Sequence, residues 1–474
     1  MKNLEPRAVW QLFDQITRVP RPSKKEEKII EWLVGFAREH GLQYRRDEIG
    51  NVVILAPASP GMEGRPTVVL QNHVDMVCER NADALGPDGR PFDFERDPIA
   101  THITPDGWVK ARGTTLGADN GLGMALALAL LIDPDAPHGP LEALFTVDEE
   151  TGLTGAFNLG EGAITGNAPT GSGMITGKYL INLDSEDEGE VFIGCAGGVD
   201  TLAYFDYTTE PAPAGHRFFE IAVTGLQGGH SGDDIEKGHG NSNRILARAL
   251  WAGGGGRSES RVLGFGLRLA SIDGGNLRNA IPREARAVVA VPDDKAAEFT
   301  GWIASFAADI RAELAHSDPG VTVTLTAIPA TPTAPATAAD VVDTDTADRL
   351  VQALLGVPCG VQAMSFAMPG LVETSTNLAS VKMTGGQIVV TTSQRSSVES
   401  AKWATATAVE SVFALAGARV EHSEGYPGWA PDPSSHLLEV TEKAYEKLFG
   451  EPIKVRAIHA GLECGLFLEK FPHL

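Results

Sequence analysis

The stretch Leu141–Gly152, LEALFTVDEETG, joins an apolar, strand-like run to three consecutive carboxylates, Asp148, Glu149 and Glu150. Adjacent negative charges repel one another, and burying them without compensation would cost several kcal/mol. Taken alone, the cluster is most simply a solvated acidic loop. The alternative is that cations lie beside it, and the rest of the chain has to decide between these two interpretations.

The composition is that of a folded protein with more than one domain. The chain has 474 residues, of which 43% are hydrophobic and 21% are charged. A single core rarely extends over such a length, so two domains are expected. The 39 basic and 62 acidic side chains give a net charge of −23. This balance argues against nucleic acid or an anionic membrane as a partner, because both require basic patches.

Targeting signals and disulfide frameworks are absent from the sequence pattern. The N-terminus has no apolar signal core, and no apolar run reaches the length of a membrane span. The four cysteines are far apart in the sequence, at Cys78, Cys195, Cys359 and Cys464. Such spacing is typical neither of a disulfide scaffold nor of a thiolate metal site. We therefore expect a reducing, cytoplasmic setting.

The first part of the chain predicts an α/β sheet with helices on both faces. Residues 21–41 predict a helix that begins at a capping box of Ser23 and Glu26 and ends at Gly41. The helix NGLGMALALALLI is interleaved with strand-like runs, which are NVVILAP, TVVLQNHVD, WVKARG, LEALFTVDEE and YLINLDSED. Strands that alternate with helices in this way indicate an α/β architecture.

Beyond Gly198 the pattern predicts an inserted α+β domain. Alternating strands surround amphipathic helices, and a similar pattern recurs after the low-complexity stretch ATPTAPATAADVVDTDTADR, which is predicted to be a linker. The recurrence is consistent with two related halves. The last segment, IKVRAIHAGLECGLF, is expected to rejoin the first sheet. The predicted division is 1–198 and 426–474 for the catalytic domain and 199–425 for the insertion.

Candidate metal ligands follow the ends of four predicted strands. These residues are His73 with Asp75, Glu149 with Glu150, Asp184, and His459. In open α/β sheets the carboxyl ends of the strands form the crevice in which ligands bind. Asp119 lies in a glycine-rich turn, GTTLGADNGLG, just before a helix. Each residue alone has a simpler explanation, such as a helix N-cap or a solvated loop. Their joint placement favours a site.

The residue types indicate a centre for two divalent metals. Histidine and carboxylate ligands suit zinc, manganese or cobalt and require no thiolate. Five ligands with one shared carboxylate fit two ions about 3.5–4 Å apart. Two dications would compensate the acidic cluster that follows the strand. Glu150 would then be a ligand, Glu149 an ionised base, and Asp148 the solvated member.

Several motifs resemble the zinc exopeptidases related to aminoacylase and carboxypeptidase G, and more closely the aminoacyl-histidine dipeptidases of the peptidase D type. They are QNHVDMVCE, GTTLGADNGLG, VDEETGLTGA, GCAGG, GLQGGHSG and GGNLRNAIPREA, and they extend over nearly the whole chain. The resemblance implies a mixed α/β sheet flanked by helices, with an inserted α+β lid domain. It also implies two zinc ions per chain, for which manganese or cobalt could substitute.

The resemblance assigns the metal ligands residue by residue. His73 and Asp184 would bind one zinc, Glu150 and His459 would bind the other, and Asp119 would bridge the two.

The remaining site residues are also assigned by resemblance. Asp75 would orient His73, and Glu149 would take a proton from a metal-bridging water that attacks the peptide. His230, in GGHSG, would stabilise the oxyanion. Asn279 and Arg395 would bind the substrate, with Arg395 suited to its carboxylate.

The implied activity is hydrolysis of unblocked dipeptides, such as β-Ala-His and other Xaa-His peptides. The alternatives are a deacylase or carboxypeptidase acting on N-acyl amino acids, or a catalytically silent metal- or peptide-binding protein. Asp184 favours the dipeptidase, because those other enzymes tend to carry Glu there, and the presence of Glu149 argues against the silent protein. A small peptide is the expected partner.

Two features of assembly stay open in the sequence. Related enzymes dimerise through the inserted domain, or build the equivalent arrangement within one longer chain. Relatives also usually continue through another strand, whereas 15 residues follow His459 here. A differently built final sheet edge is therefore expected.

Overall fold

The computed structural model describes residues 1, 3–169, 173–252, 264–329 and 340–474. By their internal contacts these residues divide into two compact units. The first unit is Met1–Val191 with Ser434–Val455 and Leu466–Leu474, and the second is Phe192–Pro433 with Arg456–Gly465. This division differs from the predicted boundaries chiefly because it groups the segment around His459 with the second unit. The predicted domain boundaries stay a prediction.

The strands of the first unit are, in chain order, β1 Gln43–Arg46, β2 Val52–Ala56, β3 Val68–His73, β4 Thr101–Ile103, β5 Val109–Ala111, β6 Leu141–Thr146, β7 Thr165–Gly166 and β8 Tyr179–Asn182. Six of these strands form a mixed sheet in the order β7–β1–β2–β6–β3–β8. Strands β3, β6 and β8 are parallel, whereas β1, β2 and β7 join them by antiparallel pairing. Strands β4 and β5 form a separate pair.

The helices of the first unit cover this sheet and enclose its apolar core. Phe13, Ile29, Leu128 and Phe145 are fully buried members of that core. Among the described residues, no helix is long and apolar enough to cross a membrane. The helices are α1 Arg7–Ile16, α2 Glu27–Glu39, α3 Ala118–Ile132, α4 Glu149–Gly152, α5 Thr154–Phe157, α10 His436–Phe449 and, across the division between the units, α11 Glu463–Lys470. The predicted mixed α/β fold class is confirmed.

The predicted capping box of α2 is wrong, although the helix itself is present. Neither Ser23 nor Glu26 caps the first turn of α2. The Ser23 hydroxyl instead donates to Asp75, and the Glu26 carboxylate accepts from the backbone N–H of Asp148. Buried polar groups need hydrogen-bond partners. Ser23 and Glu26 therefore bind buried groups of Asp75 and Asp148, and they do not cap the first turn of the helix.

The second unit carries most of the remaining elements. Its helices are α6 Ser242–Ala252, α7 Ala296–Glu313, α8 Thr344–Gly356 and α9 Glu399–Leu415. Its strands, of which β9 and β23 cross the division, are β9 Glu190–Cys195, β10 Gly197–Asp206, β11 Thr209–Pro211, β12 His216–Thr224, β13 Gly229–His230, β14 Arg268–Gly274, β15 Ala280–Ile281, β16 Ala285–Pro292, β17 Thr322–Ile328, β18 Asp340–Val342, β19 Gly360–Met364, β20 Val372–Thr384, β21 Gln387–Ser396, β22 Arg419–His422 and β23 Lys454–Ile458.

The large sheet of the second unit has an internal two-fold pattern. Its order is β17–β12–β16–β14–β20–β21–β10–β22, all antiparallel, with β19 paired to β20. One half runs β12–α6–β14–β16–α7–β17, and the other runs β10–α8–β20–β21–α9–β22. Each half is therefore a split βαβ arrangement, and the halves meet where β14 pairs with β20. The recurrence seen in the sequence corresponds to these two halves.

Two local predictions need correction. Residues 330–339 of the expected linker lie outside the described residues, but its remainder forms β18 and the start of α8, with Asp343 capping the helix. The strand before His459 does not rejoin the six-stranded sheet. It pairs instead with β9, a strand that the sequence analysis missed.

The contact between the two halves of the large sheet predicts a sensitive position. Gly275 follows β14 with φ +62°, and a Cβ built there would lie 1.9 Å from the carbonyl oxygen of Ala379 in β20. Gly215 also has a positive φ, +74°, but nothing lies near its Cβ position. We expect Gly275→Ala to cost about 3 kcal/mol and Gly215→Ala only about 1 kcal/mol, because only the first adds a steric clash to backbone strain. Thermal unfolding of both variants measures the difference, and equal losses would contradict this packing.

Candidate metal centre

Parallel pairing brings three ligand-bearing segments of the first unit to one edge of its sheet. Strand β3 lies between β6 and β8, and all three point the same way. His73 ends β3, the acidic run Asp148–Glu150 follows β6, and Asp184 follows β8. Residues at the carboxyl ends of neighbouring parallel strands necessarily lie close together.

His73 is surrounded by carboxylates. Its Nε2 lies 2.8 Å from Oδ1 of Asp119 and 3.3 Å from Oδ1 of Asp184. Its Nδ1 lies 3.2 Å from Oδ1 of Asp75. One ligand atom each from His73, Asp119 and Glu150 lie within 4.8 Å of one another. The first unit thus brings together four of the five residues predicted to bind metal.

The pKa values in this cluster show an excess of negative charge. Burial alone would lower the pKa of His73, but hydrogen bonds with Asp119, Asp184 and Asp75 raise it well above its usual value. Burial raises the pKa of Asp184, and burial together with the charge of Asp119 raises that of Glu150. The carboxylates around His73 therefore favour a positive charge at this point, which a proton on the ring or a bound cation can supply.

The donor set fits divalent metal ions. Imidazole nitrogen and carboxylate oxygen are ligands that zinc, manganese and cobalt all accept. Asp119 and Asp184 both direct an oxygen towards Nε2 of His73, the atom that would coordinate an ion. The Glu150 carboxylate accepts a long hydrogen bond, 3.3 Å, from the backbone N–H of Val77. These oxygens have capacity left for a cation.

A second acidic cluster lies beside the first but is built differently. One oxygen each of Glu26, Asp75 and Asp148 lie within 4.8 Å of one another, and all three residues are buried. Both oxygens of Asp75 accept hydrogen bonds, from Ser23 and from the backbone N–H groups of Glu149 and Glu150. Because protein donors already satisfy this cluster, the first cluster is the better candidate for a metal site.

The prediction that Asp148 is solvated is wrong. Its exposed fraction is 5%. Its carboxylate accepts from the Thr151 hydroxyl at 2.6 Å and from the Thr154 hydroxyl. The residue has φ +50°, a left-handed conformation that aspartate tolerates better than most residues. Two threonine hydroxyls therefore compensate this member of the acidic run.

Arg21 and Asn120 are site residues that the sequence analysis missed. The Arg21 side chain is 2% exposed, and burial lowers its pKa to about 10. It donates to the carbonyl oxygens of Val74 at 2.9 Å and Asp75 at 2.7 Å. Asn120 donates to the carboxylate of Asp184. No local sequence signal marked Arg21, because the carbonyl groups it binds lie 53 and 54 residues further along the chain.

His459 belongs to the second unit and is buried there, with an exposed fraction of 5%. Its Nε2 lies 2.8 Å from the hydroxyl of Ser375. Burial, reinforced by the positive charge of Arg395, lowers the pKa of His459 to about 4. The ring is thus neutral near pH 7, which is the form required of a metal ligand. Its predicted pairing with Glu150 stays a prediction.

The second unit also brings two of the residues predicted to contact the substrate, His230 and Arg395, close to His459. His230 lies 3.3 Å from Asp233. The loop after His230 packs on the His459 backbone so closely that a Cβ at Gly232 would lie 2.2 Å from its carbonyl oxygen. Arg395 is 6% exposed and donates to the Tyr426 hydroxyl at 3.0 Å.

Two further observations concern the predicted substrate-binding residues. The Nε of Arg395 is buried without a hydrogen-bond partner in the described part of the chain. Asn279 is exposed, and its carbonyl oxygen accepts from the backbone N–H of Ser231 at 2.8 Å. Asn279 therefore lies beside the loop that carries His230.

Known proteins provide independent evidence for the family. The sequence model of peptidase family M20/M25/M40 matches residues 69–474. The chain belongs to this peptidase family. The predicted enzyme class, a hydrolase of peptide bonds, is confirmed by this membership.

Two known proteins are similar to this chain over its whole length. The cytosol non-specific dipeptidase of Escherichia coli (strain K12) is 40% identical over 474 residues, which are 100% of this chain and 91% of the relative. The crystal structure of aminoacylhistidine dipeptidase from Vibrio alginolyticus superposes with a TM-score of 0.86 at 40% identity, over 100% of this chain and 90% of that one. The resemblance inferred from the motifs is thereby confirmed.

The metal site predicts stabilisation by added zinc. A ligand that binds only the folded chain stabilises it by about 2.7 kcal/mol at 100 times its dissociation constant. We expect zinc to raise the unfolding temperature of the metal-free wild type and of His316→Ala, which removes an exposed histidine. His73→Ala should lose most of this increase. An equal increase in all three proteins would contradict the assignment.

Proposed function

We propose that this chain is a cytoplasmic, di-zinc dipeptidase that hydrolyses unblocked dipeptides, Xaa-His peptides among them. The observation that supports it best is the set of His73, Asp119, Glu150 and Asp184 at one sheet edge, with Glu149 in the same turn. The dipeptidase names of two relatives that are each 40% identical support the substrate class. Manganese or cobalt would substitute for zinc.

The proposed metal ligands divide into two sets with one shared residue. His73 and Asp184 would hold one ion, Glu150 and His459 would hold the other, and Asp119 would contact both. Bound zinc would supply Lewis acidity, which polarises the scissile carbonyl and makes a water molecule easier to deprotonate. Asp75 supports this set, because it lies against Nδ1 of His73 and thereby leaves Nε2 for the ion.

Glu149 is the proposed general base. It would take a proton from the attacking water and pass it to the nitrogen of the leaving amino acid. Its backbone N–H donates to Asp75 at 3.0 Å, and the N–H of Glu150 donates to the other oxygen of Asp75 at 3.2 Å. Asp75 thus fixes the turn that carries both the base and a ligand.

His230 is proposed to stabilise the oxyanion. The backbone N–H groups of Gly232 and Asp233 point at its Nδ1, at 3.3 and 3.2 Å. Oδ2 of Asp233 also lies 3.3 Å from Nδ1, so these contacts engage Nδ1 and leave Nε2 for the substrate. A hydrogen on Nε2 would be available to a developing negative oxygen.

Arg395 and Asn279 are proposed to bind the free carboxylate and the backbone of the dipeptide. The Arg395 guanidinium is buried, yet one of its nitrogens has no hydrogen-bond partner within the described residues. A buried cation with unused donors is well suited to a carboxylate, because the guanidinium can bind both oxygens. The exposed side chain of Asn279 adds an amide next to the His230 loop.

The setting and the assembly are part of the proposal. A cytoplasmic location is consistent with the name of the Escherichia coli relative and with the free thiols of the described cysteines. The second unit is proposed to act as a lid. Its two similar halves within one chain offer the arrangement that a homodimer would otherwise supply.

The experiment that tests this function is amino-acid release from a panel of substrates, with zinc and after chelation. The panel contains β-Ala-His, Gly-His, Ala-Ala, an N-acetyl amino acid and a tripeptide. We expect metal-dependent cleavage of the unblocked dipeptides, lowered about 10²–10⁴-fold in Glu149→Gln. Cleavage of the N-acetyl substrate alone would identify a deacylase instead. A lack of turnover in the zinc-loaded wild type would contradict the proposal.

The Arg395 site predicts a specific change in KM. We expect Arg395→Gln to raise KM for Ala-Ala by roughly 10–100-fold, because a charge-assisted contact worth about 1.5–3 kcal/mol is lost. The KM for alanyl-alanine amide, which has no carboxylate, should change little. Steady-state kinetics on both substrates measure the difference, and parallel changes would argue against carboxylate binding by Arg395.

A further inference from the structure

Three polar side chains of the segment Arg21–Glu26 form hydrogen bonds beside the candidate metal centre. Their partners lie in the segments that carry the predicted metal ligands and the predicted base. Arg21 donates through Nη1 to the carbonyl oxygens of Val74 and Asp75, and through Nη2 to that of Gly117. One buried guanidinium therefore ties the end of β3 to the turn before Asp119. Buried carbonyl groups need donors, and here a single side chain supplies three of them.

Ser23 binds the side chain of Asp75, whose backbone carbonyl accepts from Arg21. Its hydroxyl donates to Oδ2 of Asp75 at 2.7 Å. The other oxygen of Asp75 faces His73 at 3.2 Å and accepts from the N–H of Glu149 at 3.0 Å. Without the hydroxyl, Oδ2 would retain the longer bond from the N–H of Glu150, at 3.2 Å. Ser23 thus sets the plane of the carboxylate that orients His73.

Glu26 holds the acidic turn itself. Its Oε1 accepts from the backbone N–H of Lys24 at 2.9 Å and from that of Asp148 at 3.0 Å. Asp148 has a left-handed backbone and immediately precedes Glu149 in α4. A hydrogen bond to its N–H fixes the direction in which the next two carboxylates leave the sheet.

We propose that Arg21, Ser23 and Glu26 are positioning residues that hold His73, Asp119 and the Glu149–Glu150 turn in the geometry that binds metal. The expected change in kcat rests on the proposed function, whereas the expected change in metal affinity does not. A segment that only supported the fold would not need three polar groups that end beside three different ligand-bearing stretches. Groups of this kind typically change metal affinity or activity by roughly 10–100-fold when they are removed.

The test compares Ser23→Ala with Ser23→Thr, which keeps the hydroxyl. Zinc affinity is measured on the metal-free chain by competition with a chromophoric chelator, and kcat and KM are measured on Ala-Ala. We expect Ser23→Ala to lower zinc affinity and kcat by roughly 10–100-fold, with KM little changed. Ser23→Thr should retain most of both quantities.

Glu26→Ala is matched with Glu27→Ala, which removes an exposed carboxylate one residue further along. Only Glu26→Ala should lower zinc affinity and kcat. Wild-type zinc affinity in both Ser23→Ala and Glu26→Ala would overturn the inference, even if either variant unfolded at a lower temperature. If the wild type did not hydrolyse dipeptides but these variants still lost zinc affinity, the proposed function would fail and the positioning role would stand.

Discussion

The Asp75 carboxylate is the group on which the geometry of the candidate metal centre in the first unit depends. Its two oxygens face His73, accept the Ser23 hydroxyl and accept the backbone N–H groups of Glu149 and Glu150. It thereby connects the end of β3 to the start of α4 and to the segment before α2. Charge-assisted hydrogen bonds of this kind are stronger than neutral ones and restrict orientation. A shift of this one carboxylate would move a predicted ligand and the predicted base together.

The acidic residues around Asp75 divide into two groups by the partners they have. Glu26, Asp75 and Asp148 accept hydrogen bonds from hydroxyl and backbone donors, so protein groups stabilise their buried oxygens. Asp119 and Asp184 both face Nε2 of His73, and their hydrogen bonds, with that of Asp75, raise the pKa of the ring. The acidic run after β6 therefore has protein donors around Asp148 and a candidate cation site beside Glu150.

The sequence predicted the α/β class, the strands that carry the candidate ligands and the residues at the ends of those strands, because apolar runs that stop at polar residues are local signals. It did not predict the roles of Ser23 and Glu26, since their spacing matches a capping box and their actual partners are Asp75 and Asp148, far along the chain. The solvation of Asp148 was wrong for a different reason: Thr151 and Thr154 are close to it in the sequence, but their hydroxyls reach its carboxylate only in the folded turn. The strand β9 was missed, and with it the pairing of the strand before His459.

The most direct test of this account is anomalous diffraction at the zinc absorption edge from crystals grown with zinc. The account predicts two peaks about 3.5–4 Å apart, with Asp119 in contact with both and His73 in contact with one. A strong peak among Glu26, Asp75 and Asp148, with none at Nε2 of His73, would contradict it.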